Sequence, residues 1–298
     1  MSGTARVAAQ AKVNLTLRVL EREASGYHQI ETVFQRLALA DVVTVRAADG
    51  RSLDTRWTGP GVAPDLGSVE RNLAWRAADA YARATGWPGG FAIEVEKSIP
   101  VGGGLGGGSA DAAAVLRGLD ALAPRPVGPA ALVDIGSRLG ADVAFLTSPS
   151  ELALAWGRGE RMLDLPPLPE APVLLVVPDF GVGTAQAYDA LARHRVRVPL
   201  VAEAAWRSPR ALGSWIAVAA DAVNDFEAVV FDDHPALATM RARLAALPDT
   251  VFAMMSGSGS TLFAVQTGAE ASLGTLALPA GWTALVTGTA GQQPVLVR

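Results

Sequence analysis

From Ala11 to Val19 apolar and polar residues alternate. Ala11, Val13, Leu15, Leu17 and Val19 fall on one side and Lys12, Asn14, Thr16 and Arg18 on the other. That period of two predicts a strand with one apolar and one polar face. Val42 to Arg46 reads as another strand, and Phe91, Ile93 and Val95 alternate with Ala92, Glu94 and Glu96 to predict a third. Between them the period lengthens. Over Glu70–Thr85, Leu73, Ala77, Ala80, Tyr81 and Ala84 recur at helical spacing, and Gly86 supplies a stop. Ala112, Val115, Leu116 and Leu119 form the apolar stripe of a second helix, and Pro129–Leu139 reads as a third, closed by Gly140.

A proline-rich segment, Leu165 to Pro172, separates this half from the next. There the pattern predicts a strand at Val173–Val177, a helix from Thr184 and a helix at Pro235–Leu247. Strands follow at Val251–Met254 and Thr261–Val265, then a helical segment and a strand near Thr283–Val286. This order is close to the β-α-β-β-α-β of a ferredoxin-like unit. The stretch Arg195–Arg210 is polar and follows no period. The chain is therefore expected to be α+β, with domains at residues 1–160 and 161–298.

Chemistry concentrates where the third strand meets the second helix. Six glycines occur in seven residues, Gly102 to Gly108, interrupted only by Leu105. Glycine backbones take positive φ and approach a ligand closely, so several N–H groups can converge beside the positive end of a helix. That arrangement suits a polyphosphate. A Walker loop requires Lys-Ser/Thr after its last glycine, whereas Ser109-Ala110 follows here. The dinucleotide fingerprint matches at Gly102, Gly104 and Gly107 but lacks the acidic strand end about 20 residues on. Ser109 stands where an N-cap belongs, with a hydroxyl available to a phosphate or to Mg²⁺, and Asp111 falls in the first turn.

With 298 residues, a net charge of −4 and no basic run, the chain is long enough for two modest domains and ill suited to nucleic acid. It contains no cysteine, which excludes disulfides and thiolate chemistry. No run of eighteen apolar residues and no signal-peptide layout is present, so a cytoplasmic protein without membrane association is expected.

The segment Pro100-x-x-x-Gly104-Leu105-Gly106-x-x-Ser109-Ala110 resembles the phosphate loop of the GHMP kinase superfamily. Ala11-Lys12-Val13-Asn14, Gly26-Tyr27-His28 to Phe34-Gln35, Gly140-Ala141-Asp142-Val143, Gly157-Arg158-Gly159-Glu160, Asn224-Asp225-Phe226-Glu227 and Met255 to Thr261 follow in the superfamily's order. The set is similar to the branch whose acceptor is a CDP-linked methylerythritol alcohol. The resemblance implies an N-terminal α+β domain, a smaller ferredoxin-like one, and an active site in the cleft between them. It also implies ATP as phosphoryl donor with Mg²⁺, in a monomer or homodimer.

Residue roles follow from that resemblance. Asp142, by local sequence a turn or capping aspartate, becomes the catalytic base, and Lys12, otherwise an ordinary exposed lysine, its cationic partner. Pro100, Gly102, Gly103, Gly104, Leu105, Gly106, Gly107, Gly108 and Ser109 would hold the triphosphate. Lys97 and Asn72 would meet the adenine side, although a solvated strand end and a helix cap describe them equally well. Asn14, Tyr27, His28, Thr184 and Tyr188 would bind the cytidine-linked acceptor. No residue is assigned to Mg²⁺. Asn224-x-x-Glu227 spells a capping box, and Ser256–Ser260 is either a hairpin loop or a second anion contact. Another small-molecule kinase of the superfamily would have no use for Tyr27-His28, and a silent nucleotide-binding relative would be expected to lack Lys12 or Asp142.

Overall fold

The computed structural model describes residues 3–23, 28–60, 64–197, 213–274 and 276–298. Tyr27 and most of the Arg195–Arg210 stretch lie outside the described residues. The chain begins with two long antiparallel strands, β1 (Thr4–Arg22) and β2 (His28–Ala47), far longer than the alternation predicts. Next come β3 (Arg51–Trp57), α1 (Leu73–Thr85), β4 (Phe91–Lys97), α2 (Gly107–Leu122), α3 (Pro129–Ser137) and α4 (Ala141–Thr147). The hairpin β5 (Leu152–Gly157) and β6 (Arg161–Asp164) then pairs with the Ile30–Gln35 end of β2. Together these strands make a sheet ordered β1-β2-β4-β3, extended by β5 and β6.

β7 (Pro172–Val177) opens a second sheet, followed by α5 (Thr184–Arg197), α6 (Trp215–Asp221), β8 (Val223–Asn224), α7 (Glu227–Asp233) and α8 (Pro235–Ala245). β9 (Thr250–Met255), β10 (Leu262–Gln266) and β11 (Thr283–Gly288) complete this sheet in the order β11-β7-β10-β9, all antiparallel. That is the ferredoxin-like strand order. Its second crossover is not helical, however: among the described residues between Gln266 and Thr283 no helix forms. Gly268, Gly274, Pro279 and Gly281 interrupt the segment, and Gly274 and Gly281 take positive φ (58° and 81°), which ends helical propagation. Two short strands return to the first sheet. β8 pairs parallel with Thr16–Leu17, and β12 (Leu296–Val297) pairs with Ala5–Arg6.

The alternation along β1 is real, but its polar face is not solvated. Lys12, Asn14 and Thr16 are as buried as Val13 and Leu15. The strand runs between two apolar clusters: Ala5 to Leu15 contribute to one, Leu17 and Val19 to the other. Register shifts between Gln10 and Lys12 and between Asn14 and Thr16 fall around the changeover. A bulge re-aims side chains at such a point.

α2 is buried along most of its length, from Ala110 to Asp120. Its small side chains let it pack between the sheet and α1, α3 and α4. α1 ends at Gly86 as expected (φ 74°), but Ala84 faces solvent, and Ala74 and Ala78 take the inward places beside Ala77 and Tyr81. Tyr81 ties α1 to the far end of α2, because its hydroxyl donates to Asp120 Oδ1 at 2.8 Å. The same carboxylate accepts from the amides of Val127 and Gly128 and so anchors the entry to α3. Tyr81→Phe removes one of these three donors while leaving volume unchanged. It should lower unfolding free energy by about 1–2 kcal/mol in urea titration, with an unchanged denaturant slope.

Candidate active site

The glycine loop is held from below and open above. Leu105 is buried in the first core, and its carbonyl accepts from the Lys12 amide at 3.0 Å. Around this anchor Gly102, Gly104 and Gly106 take φ of 74°, 79° and 72°, a region closed to most side-chain-bearing residues. α2 begins at Gly107, and no side chain caps its first amides. Ser109 is therefore the third residue of the helix and not its N-cap: Gly106, free to turn left-handed, starts the helix earlier. The free amides open into a concavity of about 370 Å³. The whole run from Pro100 to Ser109 lines it, together with Asn72 and Lys97. Asn72 also caps α1, accepting from the Ala74 amide at 2.9 Å.

Lys97 is no solvated strand end. Its side chain is 5% exposed and pairs with both Asp41 and Asp111. Asp111 thus lies past the first turn and serves this buried pair, not the helix dipole. Asp41 further accepts from the Ser98 and Ile99 amides, so one carboxylate fixes the loop's entry and the other its exit. Burial, partly opposed by Lys97, pushes Asp111 up to about 8. Burial pulls Lys97 down, but the two carboxylates outweigh it and the net direction is upward.

From the other side comes the Ser256–Ser260 turn between β9 and β10. The Ser256 hydroxyl donates to Gly104 O at 2.9 Å, and the Thr261 amide donates to Gly103 O at 3.2 Å. A methyl group on Gly104 would overlap the Ser256 carbonyl oxygen. Asn224 and Glu227 support this turn and do not form a capping box. Asn224 Nδ2 donates to Met255 O and Gly257 O, both at 2.8 Å, and Glu227 Oε1 accepts from the Met255 amide at 2.7 Å. Their side chains reach the β9 end in place of each other because α7 starts at Glu227 itself.

Lys12 and Asp142 meet beneath the loop. Lys12 Nζ donates to Asn14 Oδ1 at 2.8 Å and lies 3.3 Å from Asp142 Oδ2. Asn14 Nδ2 in turn donates to Thr32 Oγ1, which fixes its amide orientation. The ammonium is 4% exposed and the carboxylate 32%, so the pair is sealed behind and open in front. A Cβ on Gly106 would approach both Lys12 and Asp142, to 3.1 Å and 3.5 Å. The carboxylate therefore borders the glycine loop.

His28 begins β2, and its ring stacks on Tyr188 with centroids 4.6 Å apart. Tyr188 meets the edge of Phe226 at 4.9 Å. Burial and the neighbouring Arg22 and Arg195 lower His28, which keeps its ring neutral near pH 7. Burial, with the Asp142 charge, pushes Tyr188 up to about 12. Thr184 Oγ1 lies 3.1 Å from Ser258 Oγ, joining α5 to the turn that touches the glycine loop. Asp41 escaped the sequence reading, and Thr32 and Phe226 fell within quoted segments without a role. Asp41 carries the same signal as Asp142, a carboxylate within an apolar run.

Residues 72–149 match the family described as GHMP kinases N terminal domain. The 4-diphosphocytidyl-2-C-methyl-D-erythritol kinase of Solibacter usitatus is 39% identical over 262 residues, 87% of this chain and 80% of that one. That of Moorella thermoacetica is 39% identical, covering 88% and 90%. A crystal structure of 4-(cytidine 5'-diphospho)-2C-methyl-D-erythritol kinase superposes with TM-score 0.70 at 34% identity, covering 96% of this chain and all of the other. Homoserine kinase from Cytophaga hutchinsonii shares the fold at 17% identity, with TM-score 0.65 and coverage of 99% and 97%.

The buried Lys97 cluster gives a pH signature. Asp111 titrates higher in the folded chain than in the unfolded one, so the folded state holds the extra proton. That contribution is complete below the ordinary aspartate range and is lost as pH rises through about 8. The melting temperature should fall between pH 6 and pH 9, and Asp111→Asn, which stays neutral, should show a shallower fall by calorimetry.

Proposed function

Because the chain belongs to the 4-diphosphocytidyl-2-C-methyl-D-erythritol kinases of the GHMP superfamily, we propose that Asp142 and Lys12 carry its chemistry. The protein is an ATP-dependent kinase that phosphorylates the CDP-linked methylerythritol of the non-mevalonate isoprenoid route. The observation supporting the residue assignment is the Lys12–Asp142 pair, 3.3 Å apart at the border of the glycine loop.

In this reading the triphosphate lies against the amides of Gly107, Gly108 and Ser109, whose partial positive charge and unfilled hydrogen bonds match it. The acceptor's 2-hydroxyl meets Asp142 Oδ2 and gives up its proton there as its oxygen bonds to the γ-phosphorus. The bond to the leaving ADP breaks, and the proton stays on Asp142 until product departs. Lys12, fixed by Asn14, opposes the negative charge that gathers on the acceptor oxygen. Mg²⁺ supplies charge neutralisation on the phosphates. The Ser109 hydroxyl is a suitable hard donor for it, and no group of three acidic or histidine side chains is gathered among the described residues, so most of its ligands would be phosphate oxygens.

His28 and Tyr188 stack on each other too closely for a base to enter between them. The pyrimidine would extend the stack on the face of the His28 ring turned away from Tyr188. The division of labour between residues 1–160 and 161–298 follows the same plan: the first part holds the phosphates and the base, the second closes the cytidine side.

Asp142→Ala should lower kcat 10²–10⁴-fold while ATP affinity stays within about twofold. Lys12→Ala should also lower kcat strongly, with little change in nucleotide binding. Coupled ADP release against a panel of alcohols checks both variants and the acceptor. Turnover with mevalonate or homoserine in preference to the CDP-linked alcohol would overturn the substrate reading.

A further inference from the structure

The base stands on α4, a helix of only seven residues, too short to hold its own position. Two cations from one cross-strand pair grip it. Lys12 of β1 and Arg36 of β2 are directly opposite in register. Lys12 meets Asp142 in the first turn of α4. Arg36 meets the other end: its Nη2 donates to Phe145 O at 3.3 Å and its Nη1 to Leu146 O at 3.4 Å. Beyond the helix it donates to Ser148 O at 3.0 Å and, through Nη2 and Nε, to Ser150 O at 3.1 and 3.3 Å.

The rings between these cations form a continuous stack. Lys12 Nζ lies 5.5 Å from the centroid of Phe34, Phe34 stacks on Phe145 at 4.9 Å, and Arg36 Cζ lies 5.3 Å from the centroid of Phe145. Phe145 belongs to α4 itself, so any tilt of that helix must disturb its contact with Arg36 and its stack on Phe34, the ring that Lys12 faces.

Arg36 is 1% exposed, and every hydrogen bond described for its guanidinium goes to a main-chain carbonyl. Burying a guanidinium is costly unless its donors are filled, and the carbonyl end of a helix fills them while offering the negative pole of its dipole. Burial, with Arg117 nearby, pulls Arg36 down to about 9, which leaves it charged at neutral pH.

We propose that Arg36 is a positioning residue for the kinase reaction, acting through α4 to hold the Asp142 carboxylate against Lys12 and the glycine loop. This rests on the reading of Asp142 as the base. Arg36 touches neither nucleotide nor acceptor, so its effect falls on kcat and not on KM.

The test compares Arg36→Lys with the parent in the full chain, with ATP and the CDP-linked acceptor, below both melting temperatures. Lysine keeps the charge but loses the fork that spans four carbonyls. The expected result is a 10- to 100-fold lower kcat, with KM for both substrates within twofold. Added to Asp142→Ala, the same change should cost nothing further, because the two act as one unit. Leu237→Ala, a core truncation in α8, serves as the control for lost stability and should keep the parent kcat. Should Arg36→Lys not fold, Phe145→Leu replaces it and should lower kcat several-fold.

A folded Arg36→Lys (or Phe145→Leu) with kcat within twofold of the parent would overturn the proposal. So would an equal loss in Leu237→Ala, or a further loss on top of Asp142→Ala. Parent-like turnover by Asp142→Ala would instead remove the base assignment, whatever Arg36 does.

Discussion

The two halves of the molecule meet main chain to main chain, and everything at the site depends on that contact. The Gly103 carbonyl accepts from the Thr261 amide and the Gly104 carbonyl from the Ser256 hydroxyl, with the Gly104 backbone pressed against the Ser256 carbonyl. Any Cβ on Gly104 would push the Ser256 turn away. Such closeness fixes the glycine loop from above while Leu105 fixes it from below. It also brings Thr184, carried by α5 of the second sheet, within reach of the same turn. A cleft assembled in this way is shaped before any ligand arrives. The rate of the chemistry then draws on geometry already set by folding.

Lys97, Lys12 and Arg36 are all buried, and each is stabilised differently. Lys97 has two carboxylates, and burial, with a smaller contribution from Asp41, raises Asp111 despite the lysine. Lys12 has one carboxylate and one amide oxygen, and its partner remains open to the cleft. Arg36 uses carbonyl dipoles alone. Unpaired charge in an interior costs several kcal/mol, so none of these is a casual ornament. Of the three, only Lys12 has a carboxylate partner that is substantially exposed.

Much of this was legible in the sequence. The strand β4, the glycine run and the apolar stripe of α2 announced a glycine loop between rigid elements, and the four strands of the second sheet could be read from their segments, though its second crossover is not helical. The misreadings share a cause: sequence shows spacing, not what lies across from it. Ser109 looked like an N-cap because the helix could as well begin two residues earlier at Gly107, which a left-handed Gly106 permits. Asn224 and Glu227 have capping-box spacing, but a neighbouring strand end offered both of them partners. The polar face of β1 looked solvated because nothing in its alternation reveals a second layer covering it. Arg36 was silent for the same reason, and the apolar run around Asp41 named no partner for it, since their partners lie more than a hundred and more than fifty residues away.

The short strands β8 and β12 matter beyond their size. β1 spans nineteen residues, and a strand of that length with an unpaired side is a template on which other chains can polymerise. Val223–Asn224 and Leu296–Val297, both drawn from the later half of the chain, occupy parts of that side. The later segment thus acts as an intramolecular guard against aggregation of the earlier one. During synthesis, when the first sheet has emerged and its guards have not, the nascent chain passes through an interval of exposed adhesive edge.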